Sequence, residues 1–160
     1  NFDRYIILHH TWGGTYKSNI AYLSSGKAPK SVHFVVGELG QAAKIWDPTN
    51  ILRHAGVSNR GNLSSMNKYA MGIEIVGPWK VQAFSDKQYA KVVDLVKYLM
   101  QTYDIPVENV LTHASITRKG SVNKQLWDWV SKARKTDVDR RLRADRGYEN
   151  FISRKTAVLW

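Results

Sequence analysis

The chain has 160 residues, 43% hydrophobic and 11% aromatic, values of one folded domain and not of a disordered segment. It has no cysteine, which excludes disulfides, thiolate nucleophiles and thiolate metal ligands. A formal charge of +11 favours polyanionic partners: nucleic acid first on charge alone, or an anionic membrane or a cell wall rich in carboxylate and phosphate.

No run approaches the roughly 20 apolar residues of a transmembrane helix. The chain opens on "NFDRYIIL" with no basic leader region, so cytoplasmic synthesis without a signal peptide is the expectation. "YIIL" (5–8) predicts a central strand. "TYKSNIAYLSSG" (15–26) predicts a short helix closed by Gly26. "SVHFVVG" (31–37) and "QAAKIW" (41–46) flank "ELG" and predict a hairpin. "MGIEIVG" (71–77) is apolar on both faces except at Glu74, as in a buried strand. "SDKQ" reads as a capping box: Ser85 caps the helix and Gln88 reaches back. Tyr89, Val92, Val93, Val96, Leu99 and Met100 then follow at helical spacing. That helix ends near Tyr103, because Ile105 precedes Pro106. "VENVL" predicts a further strand and "NKQLWDWVSKARK" a further helix. Alternating strands and helices predict an α/β fold with a central mixed sheet flanked by helices. The domain is expected over residues 1–132. A basic, partly helical segment follows over 133–160, with eight Lys or Arg against four acids between Arg134 and Lys155.

Three of the five histidines, His9, His10 and His113, stand at the ends of apolar runs, where ligand sites of α/β sheets form. Glu74 lies inside "GIEIV", where an ionised carboxylate is costly without a partner. Two imidazoles and a carboxylate suit a zinc hydrolase, since imidazole binds zinc and a nearby carboxylate can take a proton from water. The plainer alternative stays open. Strand-end histidines are commonly half-buried polar residues, and Glu74 also fits an acid paired with Lys or Arg. There is no HExxH and no CxxC.

Taken in order, several segments carry a resemblance. They are "YIILHHTWGG" (5–14), "SVHFVVGELGQAAKIW" (31–46), "RHAGVS" (53–58), "MNKYAMGIEIVG" (66–77), residues 84–119 ending in "LTHASITRK", and "LWDW" (126–129). Together they resemble the type 2 N-acetylmuramoyl-L-alanine amidases, whose zinc amidase fold is shared with peptidoglycan recognition proteins and many phage endolysins. The resemblance implies His9 and His113 as zinc ligands and Glu74 as general base. Val32 stands where another branch of the family has a catalytic tyrosine, which adds weight to Glu74. It implies Lys119 as the cation that stabilises the oxyanion. His10 becomes a packing or supporting residue, and His54 and Asn67 lie at the substrate groove, with a structural role for His54 open beside a contact one.

At Ser121 the chain departs from the family, whose third ligand there is Asp or Cys. A serine hydroxyl is a poor zinc ligand beside carboxylate or thiolate. Three explanations stay open: an engineered replacement of Cys or Asp, a natural wall-binding protein that does not cut, or completion of the site by a carboxylate such as Asp128. The resemblance implies a zinc-dependent hydrolase of the bond between N-acetylmuramic acid and L-alanine in peptidoglycan, with impairment of this chain by Ser121 left open. The alternative is a non-catalytic peptidoglycan-binding module. A monomer acting on the bacterial cell wall is expected, with the basic segment attracted to an anionic envelope and no nucleic-acid partner.

Overall fold

A computed structural model describes residues 4–11, 13–77 and 85–116. The expected helix at 123–135, the basic segment 133–160 and residues Lys119, Ser121 and Asp128 lie outside this set. The elements in chain order are β1 (Tyr5–His10), α1 (Tyr16–Ser24), β2 (Phe34–Val36), β3 (Ala42–Lys44), β4 (Asn59–Arg60), β5 (Leu63–Ser64), β6 (Ala70–Ile75), α2 (Asp86–Tyr103), β7 (Val110–Thr112) and α3 (His113–Ile116). Five strands form one mixed sheet in the order β3-β2-β6-β1-β7, as the alternating pattern predicts. β2, β6, β1 and β7 run parallel, and β3 returns antiparallel to β2 through the predicted hairpin. β4 and β5 form a separate two-stranded hairpin that turns at Gly61, whose φ of 54° favours glycine.

Strand alternation gives the sheet two apolar faces. Ile6, Leu8, Phe34, Val36, Met71, Ile73 and Ile75 pack against Val92, Val96, Leu99 and Met100 of α2. The opposite face divides in two. Val35 packs with Leu23 of α1, Val32 and Val76, while Tyr5, Ile7 and Ala70 pack with Ala55, Met66, Leu111 and Ile116. Each large side chain so buried contributes roughly 1.5–3 kcal/mol of transfer free energy. The parallel strands are covered on both sides, which explains why "YIIL" and "MGIEIVG" read as nearly continuous apolar runs.

Local chemistry sets the helix ends. Thr15 and Ser18 form a reciprocal capping box at α1. At α2, Ser85 accepts from the Gln88 N–H at 3.1 Å, as expected of an N-cap. The other half of that expectation fails. Gln88 is 2% exposed, and its side chain donates to the Val76 carbonyl at 2.6 Å and the Val36 carbonyl at 3.4 Å. The Val36 carbonyl already accepts from the Val76 N–H at 2.9 Å, so the main service of Gln88 is to the Val76 carbonyl just past the end of β6, and satisfying that buried group outweighs a local cap. The helix ends at Tyr103, with Asp104 left-handed at φ 52° before Pro106. "VENVL" is only partly a strand: Val107–Asn109 is a 3-10 turn, and β7 begins at Val110.

Gln88→Leu leaves the Val76 carbonyl unsatisfied in the core, at a cost of about 1–3 kcal/mol. Ser85→Ala loses one exposed cap, at a cost of about 1 kcal/mol. Urea unfolding of both variants checks the order; a larger loss for Ser85→Ala contradicts the bridging role of Gln88.

Candidate active site

β1 lies between β6 and β7, and its register with both decides what meets at the carboxyl ends of the parallel strands. His9 is paired with Glu74 across β6, and Glu74 in turn with Val35 across β2. On the other side Leu8 is paired with Thr112, so His113 follows one step beyond, level with His9. In-register neighbours on adjacent parallel strands point to the same face at a spacing of about 4.8 Å. The row therefore reads His113, His9, Glu74, Val35. Ring centroids of His9 and His113 are 4.7 Å apart, with the planes tilted by 55°. His9 is 5% exposed, whereas Glu74 and His113 are half-buried at the rim. His10 follows His9 on the strand and so turns to the opposite face, that of α2. Val32 is buried among Leu23, Val35 and Val76.

A folded flap, residues 53–69, covers the row from below. Ser58 anchors it, its hydroxyl accepting from the Met66 N–H at 3.1 Å. Asn67 then accepts with one oxygen from two successive backbone N–H groups, His54 at 3.0 Å and Ala55 at 2.7 Å. This fixes the "HAG" turn. The His54 ring, 6% exposed, lies against the sheet with Nδ1 2.9 Å from His9 Nε2 and Nε2 3.0 Å from the Ala70 carbonyl. His113 Nε2 is 3.1 Å from the Ala55 carbonyl. Gly72 makes room for His54: a Cβ at that position would stand 2.8 Å from the His54 ring. The Asn67 oxygen and both ring nitrogens of His54 are thus engaged inside the protein.

The sequence reading did not single out His33, which extends the row of rings. Its centroid is 5.6 Å from that of His54. Nδ1 accepts from the Gly72 N–H at 2.9 Å, and Nε2 donates to the Asn50 carbonyl at 2.9 Å. This fully buried ring bridges β6 to the loop after β3. Its flanks in "SVHFVV" were the available signal, since an imidazole inside an apolar run needs internal partners. Gly72 was legible in the same way: glycine inside a strand marks the close approach of another group.

Two imidazoles side by side suit a divalent ion of borderline softness. Among the described residues no three His, Cys, Asp or Glu side chains converge into a complete metal site. The pair fits the imidazole part of such a site.

An α/β sheet with an imidazole pair and a carboxylate at its carboxyl ends is the class of site this chain carries. Residues 3–139 match the N-acetylmuramoyl-L-alanine amidase family, and the chain belongs to it. Among curated proteins it is 30% identical over 101 residues to the 1,6-anhydro-N-acetylmuramyl-L-alanine amidase AmpD of Haemophilus influenzae, which covers 62% of the chain and 54% of that protein. A second AmpD, from Salmonella typhimurium, is 33% identical over 64 residues, covering 40% of this chain and 34% of that protein. The chain thus spans about half the length, or less, of the curated relatives it matches. Among solved structures, a mutant endolysin from Bacillus subtilis superposes with a TM-score of 0.60 at 28% identity, over 82% of this chain and 84% of that one. The fold is shared with AmiD of E. coli, solved with an anhydro-N-acetylmuramic acid peptide. There the TM-score is 0.65 at 20% identity, over 83% of this chain and 58% of that one.

Burial lowers the pKa of His33, against the opposing pull of the Asn50 hydrogen bond and the Asp47 charge. Burial likewise lowers that of His54, to about 4, against its bond to Ala70. Both rings are therefore held neutral in the fold but protonate in the unfolded chain near 6.5. The unfolded state binds more protons, so stability rises with pH. It is full above about pH 6.5 and is lost as pH falls toward 4, with His54 contributing on the order of 3 kcal/mol. Urea midpoints of metal-free protein at pH 7.5, 6 and 5 should fall in that order, less steeply in His54→Asn. A pH-independent midpoint contradicts the burial of these rings.

Proposed function

We propose that this protein hydrolyses the amide bond between N-acetylmuramic acid and L-alanine in peptidoglycan, in a zinc-dependent reaction. The observation that carries this reading is the row itself: two imidazoles with centroids 4.7 Å apart and Glu74 in register beside His9. Membership of the amidase family and the likeness to proteins named as muramyl amidases support it. His9 and His113 would hold the ion, with Ser121 standing at the third ligand position. Zinc bound there supplies Lewis acidity toward the substrate carbonyl and the attacking water. Glu74 takes a proton from that water as its oxygen bonds to the carbonyl carbon. It then delivers the proton to the alanine nitrogen as the C–N bond breaks. Lys119 stabilises the negative oxygen that develops on the former carbonyl.

In any active form of the protein, Glu74→Gln should abolish turnover of purified sacculi and leave zinc content nearly unchanged. Activity that survives this change places the base elsewhere.

Ser121 favours a second reading, a peptidoglycan-binding protein with no turnover. A hydroxyl in place of a carboxylate or thiolate removes an anionic donor, and even losses outside the first ligand shell cost roughly 10- to 100-fold in metal affinity. The chain as it stands should therefore bind zinc weakly and cut slowly. Ser121→Asp should raise zinc per chain, measured by elemental analysis, and amidase activity together. Unchanged zinc content in that variant means that Ser121 is not a ligand; tight zinc and rapid cleavage in the parent mean that another group, Asp128 first, completes the site.

A further inference from the structure

We infer that the dipeptide His54–Ala55, clamped by Asn67, is a positioning device that fixes the ring tautomers of both His9 and His113, so that each presents Nδ1 to a shared ion. The inference deepens the zinc reading above and rests on it only for the metal. A carbonyl oxygen accepts hydrogen bonds and never donates. The Ala70 carbonyl, 3.0 Å from His54 Nε2, therefore requires the proton on Nε2. With Nε2 committed as donor to that carbonyl and the ring only 6% exposed, the uncharged form is the one that fits, and its Nδ1 carries a lone pair and accepts. The hydrogen in the 2.9 Å bond between His54 Nδ1 and His9 Nε2 then belongs to His9. His9 is protonated at Nε2, and in the metal-binding form its lone pair is on Nδ1. The next residue does the same for the second ring by a simpler route. The Ala55 carbonyl, 3.1 Å from His113 Nε2, requires the proton there and places that lone pair on Nδ1 as well.

One short piece of backbone thus sets both imidazoles. Its own position is set from two sides. Asn67 accepts from the His54 and Ala55 N–H groups at 3.0 and 2.7 Å, and Gly72 leaves the space in which the His54 ring lies. Groups that hydrogen-bond the far nitrogen of a ligating histidine orient it, and their loss typically lowers metal affinity roughly 10- to 100-fold. In this account His54 and Asn67 act through the imidazoles and do not touch substrate.

The wild-type protein supplies a first test with no substitution. In metal-free protein at pH 7.5, long-range 1H–15N correlation spectra of the histidine rings should show His9, His113 and His54 all protonated at Nε2. An Nδ1-protonated pattern for His9 or His113 overturns the inference. The second test compares two replacements by zinc affinity in competition with a chromophoric chelator. His54→Asn keeps an acceptor near the position of Nδ1 but is smaller, and should stay within about threefold of wild type. His54→Leu keeps volume but has no acceptor, and should lose roughly 10- to 100-fold in affinity. A purely structural ring predicts the reverse order, and equal affinity in His54→Leu and wild type overturns the proposal. If the wild type takes up no zinc, the zinc reading fails, and the ring tautomers alone decide the present inference. They decide it too if His54→Leu does not fold.

Discussion

The parallel register of β1 between β6 and β7 is the constraint on which the rest depends. It brings His113, His9 and Glu74 level at one end of the sheet. A slip of one residue would turn His9 to the α2 face and bring His10 into its place, because side chains alternate along a strand. The register is held by the apolar set on each face. Ile6 and Leu8 fit only the α2 core, and Tyr5 and Ile7 only the core under the flap. Packing energy spread over many side chains therefore fixes the position of the few polar ones.

The flap shows how a polar cluster is afforded inside such a core. Four histidine rings, His33, His54, His9 and His113, follow one another in contact. Unpartnered, each buried ring would cost free energy comparable to a lost hydrogen bond or more. Each instead bonds a backbone group or a neighbouring ring. The same bonds that satisfy the rings also orient them, so stability and site geometry have one origin. It follows that a change in the flap reaches the site without touching any residue of the row.

Some of this was legible in the sequence because it is local. The apolar period of α2, its Ser85 cap and its stop before Pro106 depend on residues within a few positions of one another. The hairpin of β2 and β3 is equally local. The reading of Gln88 as part of a capping box went astray because its partners, the carbonyls of Val36 and Val76, belong to strands that meet it only in the fold. "VENVL" predicts a longer strand than β7 because Val107 is buried from a 3-10 turn, and burial alone does not distinguish the two.

The sequence by itself determined the class of architecture, the apolar faces and the residue types available for chemistry, since periodicity, caps and the absence of cysteine are written in neighbouring residues. The ordered motifs also determined the family. Tertiary structure decided which of those residues meet. His9, Glu74 and His113 are separated by long stretches of chain, and only strand register makes them neighbours. From the sequence, His54 and Asn67 are residues of a groove, with contact and structural roles for His54 both open. In the fold, the Asn67 oxygen and both His54 ring nitrogens are directed inward, toward backbone N–H groups, a carbonyl and the His9 ring, because groups buried away from water must find partners within the protein.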